Sequence, residues 1–344
     1  MKAETIQLIF IFILGLSLSL YLTPLMAEAA RRFGLVAKPD GRLRLQPEPV
    51  PYLGGVAIYL AFLLALVFGF GFEKQVLGLL LGGTIILLVG LIDDFGVMSP
   101  WMKLLGELLA VVALLKSGIH LEIQAILDIE PVPEFPVLSY FLSALWLITL
   151  MNAFNFLDIE DGLCGGVALI SGAGLLAVAI INNHLVIASL TCALTAGILG
   201  FLYYNFPRAK IYLGDAGSLF LGLMLGSLAM IGSYTDKSVL GLFAPVLILG
   251  VPLMEISFTS FARLISGKPI MQGSPDHIVK RLKKMGFSLK WATGLHYLMS
   301  VILAGAGLAV MLIGFQSALI LLIVSFSVLL LFAIILLRVK IEPR

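Results

Sequence analysis

The chain has 344 residues, of which 60% are hydrophobic and only 12% are charged, and its formal net charge is +2. A mean hydropathy of +1.09 excludes an ordinary soluble globule, because a water-facing surface needs far more polar residues. Apolar runs of about 20 residues, the length that crosses a bilayer, recur along the chain. We therefore expect one all-α polytopic membrane domain over residues 1–344, with the membrane rather than a nucleic acid as its partner.

Eleven membrane spans are predicted in chain order. They cover residues 5–26, 53–71, 76–92, 103–116, 136–151, 163–181, 185–204, 213–233, 239–262, 293–315 and 317–337. The first run has no small-residue cleavage pattern behind it, so we interpret it as a helix rather than a removed signal peptide. Cys164 and Cys192 show no metal or disulfide spacing and are interpreted as packing residues.

The positions of Lys and Arg predict the orientation. With eleven spans, alternate loops share a face, and one face carries most of the 22 basic residues. Basic loops stay in the cytoplasm, which predicts an outside N-terminus and a cytoplasmic C-terminus in a multi-pass protein of the plasma (inner) membrane. The polar clusters described next then fall on the cytoplasmic face.

Two adjacent carboxylates, Asp93 and Asp94, end the third predicted span. A hard cation such as Mg²⁺ would relieve their repulsion, and Mg²⁺ is commonly completed by substrate phosphates; an ordinary acidic helix end is the alternative. Lys103 and Glu107 follow at a spacing of four residues. This spacing suits either a simple ion pair or a lysine that Glu107 orients towards phosphate oxygens.

The stretch MNAFNFLDIEDGLCGG, residues 151–166, places two Asn and three acidic residues between two apolar runs. Ionisable residues at a membrane boundary are functional candidates. Asn, Asp and Gly also favour an ordinary turn between two helices, which is the alternative interpretation.

Further polar residues follow in two segments. In YLGDAGS, residues 212–218, Asp215 lies between Gly214 and Gly217, which permit close backbone approach; the alternative is a capping residue at a helix start. In SPDHIVKR, residues 274–281, the side chains of His277, Lys280 and Arg281 suit a diphosphate; the alternative is that this charge only sets the topology. Between these segments lies Glu255, in a span that also contains two prolines and is expected to be bent or broken.

Four motifs, LIDDFG, NAFNFLDIEDG, YLGDAGSLFLG and SPDHIVKRL, occur in this order on one predicted face. Together they resemble the polyprenyl-phosphate N-acetylhexosamine-1-phosphate transferases, which include MraY and WecA, over residue 34 to about residue 282. The resemblance implies transfer of N-acetylhexosamine 1-phosphate, most simply GlcNAc-1-phosphate, from a UDP-sugar to polyprenyl (undecaprenyl) phosphate, with UMP leaving. It also implies Mg²⁺, or Mn²⁺, as cofactor, a cytoplasmic active site, and a product that enters a cell-envelope pathway such as lipopolysaccharide or teichoic acid synthesis.

The resemblance also implies a role for individual residues. The catalytic residues would be Asp93, Asp94, Lys103 and Asp215; the metal ligands would be Asp94, Asn155 and Asp215; and the substrate-binding residues would be Asn152, Asn155, Asp158, Asp161, His277, Lys280 and Arg281. Pro51 and the pair Gly54 and Gly55 match the family's residues before the second span. Ile159 replaces a usual glycine, and Val279 and Lys280 replace frequent histidines. The missing His-rich loop of MraY favours the WecA-like branch.

Several alternatives stay open from the sequence. The reaction could be a single in-line displacement, in which Asp93 or Asp94 orients and deprotonates the lipid phosphate, or it could pass through a covalent phospho-aspartate. The donor could be another UDP-N-acetyl sugar. A secondary transporter would have midplane sites and internal repeats, and an inactive membrane scaffold would keep only the fold. The family commonly forms homodimers, so a homodimer is also possible.

Overall fold

The computed structural model describes residues 2–37, 49–67, 73–122, 135–267 and 276–339. Within these ranges the chain forms two compact units, Met1–Gly232 and Ser233–Arg344. Six of the basic residues behind the predicted orientation lie outside the described residues: Lys38, Arg42, Arg44, Lys268, Lys340 and Arg344. So do Ser274 and Pro275, the first two residues of one of the predicted motifs.

The first unit consists of helices and a short antiparallel strand pair. In chain order its elements are α1 (Lys2–Arg32), β1 (Val36–Ala37), β2 (Val50–Pro51), α2 (Gly54–Leu66), α3 (Lys74–Asp94), α4 (Pro100–Ser117), α5 (Phe135–Leu157), α6 (Leu163–Ile181), α7 (Leu185–Asn205) and α8 (Gly214–Met230). In the strand pair, Val36 lies opposite Pro51.

Helix α8 forms the core of the first unit. From residue 214 to residue 229, every position except Asp215 is buried, and helices α2, α3, α5 and α6 pack around it. A helix that is apolar on all sides is expected in such a position. Small residues bring the neighbours to backbone distance: a Cβ atom on Gly55 of α2 would lie 2.2 Å from the backbone nitrogen of Gly217, and one on Gly90 of α3 would lie 2.5 Å from the Cα of Ala216.

The second unit contains a 3₁₀ helix (Val239–Phe243) and helices α9 (Ala244–Ile248), α10 (Gly250–Ile265), α11 (Ile278–Lys284), α12 (Leu289–Leu312) and α13 (Phe315–Leu337). The segments Val239–Ile248 and Gly250–Ile265 are bent by 73°, which confirms the break predicted in the ninth span. Pro245 and Pro252 lie near the starts of the two helical arms, where proline is tolerated because the first N–H groups need no helical acceptor.

Each of the eleven predicted spans contains a helix, but the helices differ in length and polarity. Seven of the described helices are long and apolar enough to cross a membrane, or eight if the bent pair is one span. Helices α2 and α8 are shorter apolar helices, and α4 carries Lys103, Glu107 and Lys116. The all-α polytopic fold is confirmed, whereas the count of eleven and the orientation derived from it stay predictions.

Candidate active site

A group of polar side chains forms where the ends of four helices of the first unit meet. Asp93 lies at the end of α3, Lys103 in the first turn of α4, Asn155 in the last turn of α5 and Asp215 in the first turn of α8. The structure therefore brings together residues from three of the four motifs singled out in the sequence.

Lys103 lies at the centre of this group. Its Nζ lies 2.9 Å from Asp93 Oδ2 and 2.7 Å from Asp215 Oδ2, and it donates a hydrogen bond of 3.4 Å to Asn155 Oδ1. Asn155 Nδ2 donates in turn to Asp215 Oδ1 at 2.8 Å. The side chain of Lys103 is only 16% exposed, so three oxygen atoms from three helices enclose one cationic group. We call these three residues, Asp93, Asn155 and Asp215, the oxygen cluster.

Asp94 has a different environment, because it caps helix α8. Its Oδ1 accepts the backbone N–H of Asp215 at 2.8 Å, and its Oδ2 accepts that of Ala216 at 3.2 Å. N–H groups in the first turn of a helix lack intrahelical partners, and a carboxylate complements the positive end of the helix dipole. Gly214 permits this contact, since its φ is +75° and a Cβ there would lie 2.6 Å from Asp94 Oδ2. The capping residue is thus Asp94, while the Asp215 side chain faces Lys103.

Glu107 is paired with Asn152 rather than with Lys103. Its buried Oε2 accepts a hydrogen bond of 2.8 Å from Asn152 Nδ2. The simple ion pair between Lys103 and Glu107 is absent from the described part of the chain. Asn152 therefore ties α5 to α4 next to the oxygen cluster, and substrate binding by Asn152 stays a prediction.

The loop between α5 and α6 is hydrogen bonded to the segment before α8. The backbone N–H of Gly214 is close enough to Asp158 to oppose the rise in its pKa, and Asp161 Oδ2 accepts the backbone N–H of Ala209 at 3.0 Å. These two acidic residues hold the loop in place. Their expected contacts with the nucleotide stay a prediction.

Burial raises the pKa of two carboxyl groups in this loop, those of Asp158 and Asp161. It raises the pKa of Asp158 well above its usual range, and the nearby charges of Asp215 and Asp94 raise that pKa further. Burial also raises the pKa of Asp161, against the opposing effect of the hydrogen bond from Ala209. Asp158 therefore keeps its proton to a higher pH than a solvated aspartate does.

Sequence reasoning missed two buried residues of the site. Asn205 Oδ1 accepts the N–H of Gly162 at 2.9 Å, and its Nδ2 donates to the carbonyl of Ile211 at 2.9 Å. Ser218 accepts a hydrogen bond of 3.0 Å from Asn155 Nδ2. Ser218 could have been found, because it ends the motif YLGDAGS. Nothing in the sequence distinguishes Asn205 from an ordinary residue at a helix end.

The departure at Ile159 does not distort the loop. Among the described non-glycine residues, a positive φ occurs at Leu53 and Asn183. Ile159 thus adopts a backbone conformation open to any residue. The glycine that the family usually has there is not required by the backbone of this chain.

Pro51 and the Gly54–Gly55 pair position the segment that leads into α8. The N–H groups of Gly54 and Gly55 donate to the carbonyls of Tyr212 and Leu213, each at 3.0 Å, and the N–H of Tyr212 donates to the carbonyl of Pro51 at 2.8 Å. These residues act on the site through the backbone that carries Asp215.

The predicted residues of the last motif lie in the second unit. His277 immediately precedes α11, and its Nδ1 lies 3.0 Å from Glu255 Oε1. Arg281 Nη1 donates to the carbonyls of Leu336 at 3.1 Å and Val339 at 2.7 Å, near the end of α13. Lys280 is partly exposed. Binding of a diphosphate by His277, Lys280 and Arg281 stays a prediction.

The oxygen cluster has the chemistry of a hard-cation site. Mg²⁺ prefers carboxylate and amide oxygens and usually completes its coordination with water and phosphate. No group of three or more His, Cys, Asp or Glu side chains in the described ranges is placed to hold a metal ion, so water and phosphate oxygens would complete the coordination of an ion held by Asp215 and the amide oxygen of Asn155. Asp94 accepts two backbone N–H groups of α8, and metal binding by Asp94 stays a prediction.

The chain matches one family model and resembles several known proteins. Residues 76–233 match the family described as glycosyl transferase family 4. The chain is 30% identical over 298 residues to a probable undecaprenyl-phosphate N-acetylglucosaminyl 1-phosphate transferase of Bacillus subtilis, covering 86% of this chain and 83% of the relative. It is 31% identical over 281 residues to an undecaprenyl-phosphate alpha-N-acetylglucosaminyl 1-phosphate transferase of Thermotoga maritima, covering 80% and 81%. A decaprenyl-phosphate N-acetylglucosaminephosphotransferase of Mycolicibacterium smegmatis is 30% identical over 305 residues, covering 80% and 75%.

Proposed function

Because this chain belongs to glycosyl transferase family 4, among the polyprenyl-phosphate N-acetylglucosamine-1-phosphate transferases, we propose that it transfers GlcNAc-1-phosphate to polyprenyl phosphate in cell-envelope synthesis. The donor is UDP-GlcNAc, and the products are the lipid-linked GlcNAc diphosphate and UMP. The observation that carries the proposal is the oxygen cluster around Lys103, which offers a cation to phosphate oxygens and oxygen atoms to a metal ion.

The bond changes assign the chemistry that the site must support. An oxygen of the lipid phosphate attacks the β-phosphorus of UDP-GlcNAc, and the bond from that phosphorus to the oxygen bridging the two phosphates breaks. The bridging oxygen leaves with UMP. Since the second pKa of a phosphate monoester is about 6, the attacking group is largely ionised at neutral pH, and positioning matters more than proton removal.

The residues of the first unit supply charge and orientation for this transfer. The ammonium of Lys103 stabilises negative charge on the phosphoryl oxygens, and Asp93, in contact with Lys103, orients the lipid phosphate. Asp215 and Asn155 would hold Mg²⁺, which neutralises the diphosphate and stabilises the leaving group when it is bound. Asp94 fixes the start of α8 and so the position of Asp215.

A single in-line displacement suits these contacts better than a covalent phospho-aspartate. Asp93 is ion-paired with Lys103 at 2.9 Å, and both oxygens of Asp94 accept backbone N–H groups. Carboxylates held in this way are weaker nucleophiles, because their lone pairs are already engaged. We therefore favour direct attack by the lipid phosphate, at the cytoplasmic face of the plasma membrane.

The decisive experiment measures UMP release by the purified protein with undecaprenyl phosphate, Mg²⁺ and UDP-GlcNAc. We expect release that requires both lipid and metal and that is abolished in Asp215→Asn, because the neutral side chain removes one charged oxygen of the cluster. Turnover with a different UDP-N-acetyl sugar alone would keep the mechanism and change the substrate. A well-folded protein that is silent with every donor would refute the proposal in favour of a scaffold or a transporter.

A further inference from the structure

Asn155 is the uncharged member of the oxygen cluster, and its amide group can face the centre of the cluster in two ways. The amide has an oxygen that accepts hydrogen bonds or binds a cation, and a nitrogen that carries two hydrogen atoms. In only one of the two orientations does the oxygen face the centre. The neighbours of Asn155 therefore decide whether this residue can bind a metal ion.

Both hydrogen atoms of the Asn155 amide have an acceptor. Nδ2 donates to Asp215 Oδ1 at 2.8 Å and to the hydroxyl oxygen of Ser218 at 3.0 Å. Ser218 is fully buried, and its own hydroxyl donates to the backbone carbonyl of Asp215 at 3.5 Å. Because its hydrogen atom is directed to that carbonyl, the hydroxyl meets Asn155 as an acceptor.

The packing of α5 against α8 holds these two side chains together. Ser218 follows Asp215 by three residues, so both lie on one face of α8. Gly222 lies one turn further along α8, and a Cβ atom there would lie 2.5 Å from the Cα of Met151, one turn before Asn155 on α5. Since the two backbones touch at this level, the distance between Ser218 and Asn155 is fixed by the helices themselves.

Lys103 is the neighbour that is least able to fix the amide during the reaction. Asn155 Oδ1 accepts from Lys103 Nζ at 3.4 Å, the longest of the three hydrogen bonds that Asn155 makes to side chains. The same ammonium is the group proposed to stabilise phosphoryl charge, and Asp215 is a proposed metal ligand. Ser218 is thus the neighbour whose contact with Asn155 does not change when substrate and cation bind.

We propose that Ser218 is a positioning residue for the divalent cation of the transfer reaction: by accepting the second amide hydrogen of Asn155, it keeps Oδ1 of Asn155 directed at the centre of the oxygen cluster. Ser218 itself touches neither cation nor substrate. Residues that orient metal ligands in this way typically change metal affinity about 10–100-fold when they are lost. This inference rests on the proposed function, because the cation is needed there to neutralise the diphosphate.

Binding of Mn²⁺ to the full-length protein, without donor or lipid, tests this role. Ser218→Ala removes a single oxygen atom. Ser227→Ala is the matched control, since Ser227 is also fully buried on α8 but its hydroxyl donates within its own helix, to the carbonyl of Leu223 at 2.7 Å. The electron paramagnetic resonance signal of free Mn²⁺ gives the Kd. We expect the Kd to rise about 10-fold in Ser218→Ala and to stay at the wild-type value in Ser227→Ala.

The dependence of UMP release on Mg²⁺ separates orientation of Asn155 from a general loss of stability. In Ser218→Ala we expect the Mg²⁺ concentration that gives half the maximal rate to rise about 10-fold. The rate at saturating Mg²⁺ should stay within about 3-fold of the wild type, because the same ligands are present once the site is filled. A protein that is only less stable would lose rate at every Mg²⁺ concentration.

The double variant Asn155→Ala/Ser218→Ala shows whether Ser218 acts through Asn155. If it does, the double variant binds Mn²⁺ as Asn155→Ala alone does. Additive losses, an unchanged Kd in Ser218→Ala, an equal loss in Ser227→Ala, or a wild-type protein that binds no Mn²⁺ would overturn the proposal. If Ser218→Ala weakens Mn²⁺ binding but the wild type releases no UMP with any donor, the proposed function is refuted, while the orientation of Asn155 by Ser218 is supported.

Discussion

Asp93 and Asp94 are neighbours in the sequence but have different partners. Successive side chains of a helix point about 100° apart, so at the end of α3 one carboxylate meets Lys103 and the other meets the first turn of α8. One aspartate therefore belongs to the charged cluster, and its neighbour holds the backbone on which that cluster is built.

Lys103 is the residue whose charge should matter most for the reaction. Replacement by Met should lower kcat about 100-fold or more, because a cation aimed at the developing phosphoryl charge is lost. The measurement is the rate of UMP release at saturating lipid and donor. Lys116→Met is the matched control: Lys116 is exposed in the last turn of the same helix, and its removal should leave the rate unchanged. Equal losses in the two variants would contradict the assignment of Lys103.

Asp158 should make the stability of the protein depend on pH. Its pKa in the folded protein lies above the usual value of 3.8, so the folded state binds the proton more tightly than the unfolded state does. The stability that results is complete below the unfolded pKa and is lost as the pH rises through the folded pKa.

Asp158→Asn tests this dependence, because Asn keeps an acceptor for the N–H of Gly214 but cannot ionise. We expect the midpoint of thermal unfolding in detergent to fall more steeply with pH in the wild type than in the variant, from about pH 4 upwards. Parallel curves for the two proteins would show that Asp158 titrates normally in the folded state.

At the scale of elements, the close approach of α3 to α8 is the contact on which the site depends most. Gly90→Ala would place a Cβ atom 2.5 Å from the carbonyl oxygen of Asp215, so the two helices would have to separate. Overpacking of this kind typically costs about 1–3 kcal/mol. We expect a lower unfolding midpoint and, because Asp215 moves, a lower rate of UMP release.

Gly305→Ala is the control for this prediction. Nothing described lies within 4 Å of a Cβ atom at Gly305 in α12, and alanine is the better helix former by about 1 kcal/mol. This variant should be as stable as the wild type or more stable, with unchanged activity. A Gly90→Ala protein that behaves like Gly305→Ala would show that α3 and α8 tolerate a wider separation.

The sequence predicts elements and motifs more completely than it predicts contacts. Each apolar run became a helix, and three motifs meet because they lie at helix ends on one side of the first unit. The cap on α8 could not be predicted, because it depends on where the end of α3 lies relative to Gly214. Asp94 and Asp215, which this contact joins, are 121 positions apart in the sequence. The pairing of Glu107 with Asn152 was also missed. These residues are 45 positions apart, and the spacing of four residues between Lys103 and Glu107 favoured an ion pair between those two instead.

At the scale of the whole molecule, the number of membrane spans is the feature that the sequence predicts least well. Three helices decide it: α2 and α8 are short, and α4 carries three charged residues. Each of these helices also belongs to the site: α4 carries Lys103, α8 carries Asp215, and α2 is hydrogen bonded to the segment before α8. Hydropathy therefore predicts membrane spans least well for helices that carry or support residues of the site.

The cap that α3 places on α8 has a consequence for the biogenesis of the protein. A membrane chain is inserted from its N-terminus as the ribosome extends it, and the carboxylate of Asp94 meets its partners only when residues 215 and 216 have emerged. A nascent chain that includes Lys103 but ends before residue 215 therefore has Asp94 without the N–H groups that it caps and Lys103 without its second aspartate. Assembly of the reaction centre is a late event of insertion, and a ribosome stalled before residue 216 carries an inactive chain.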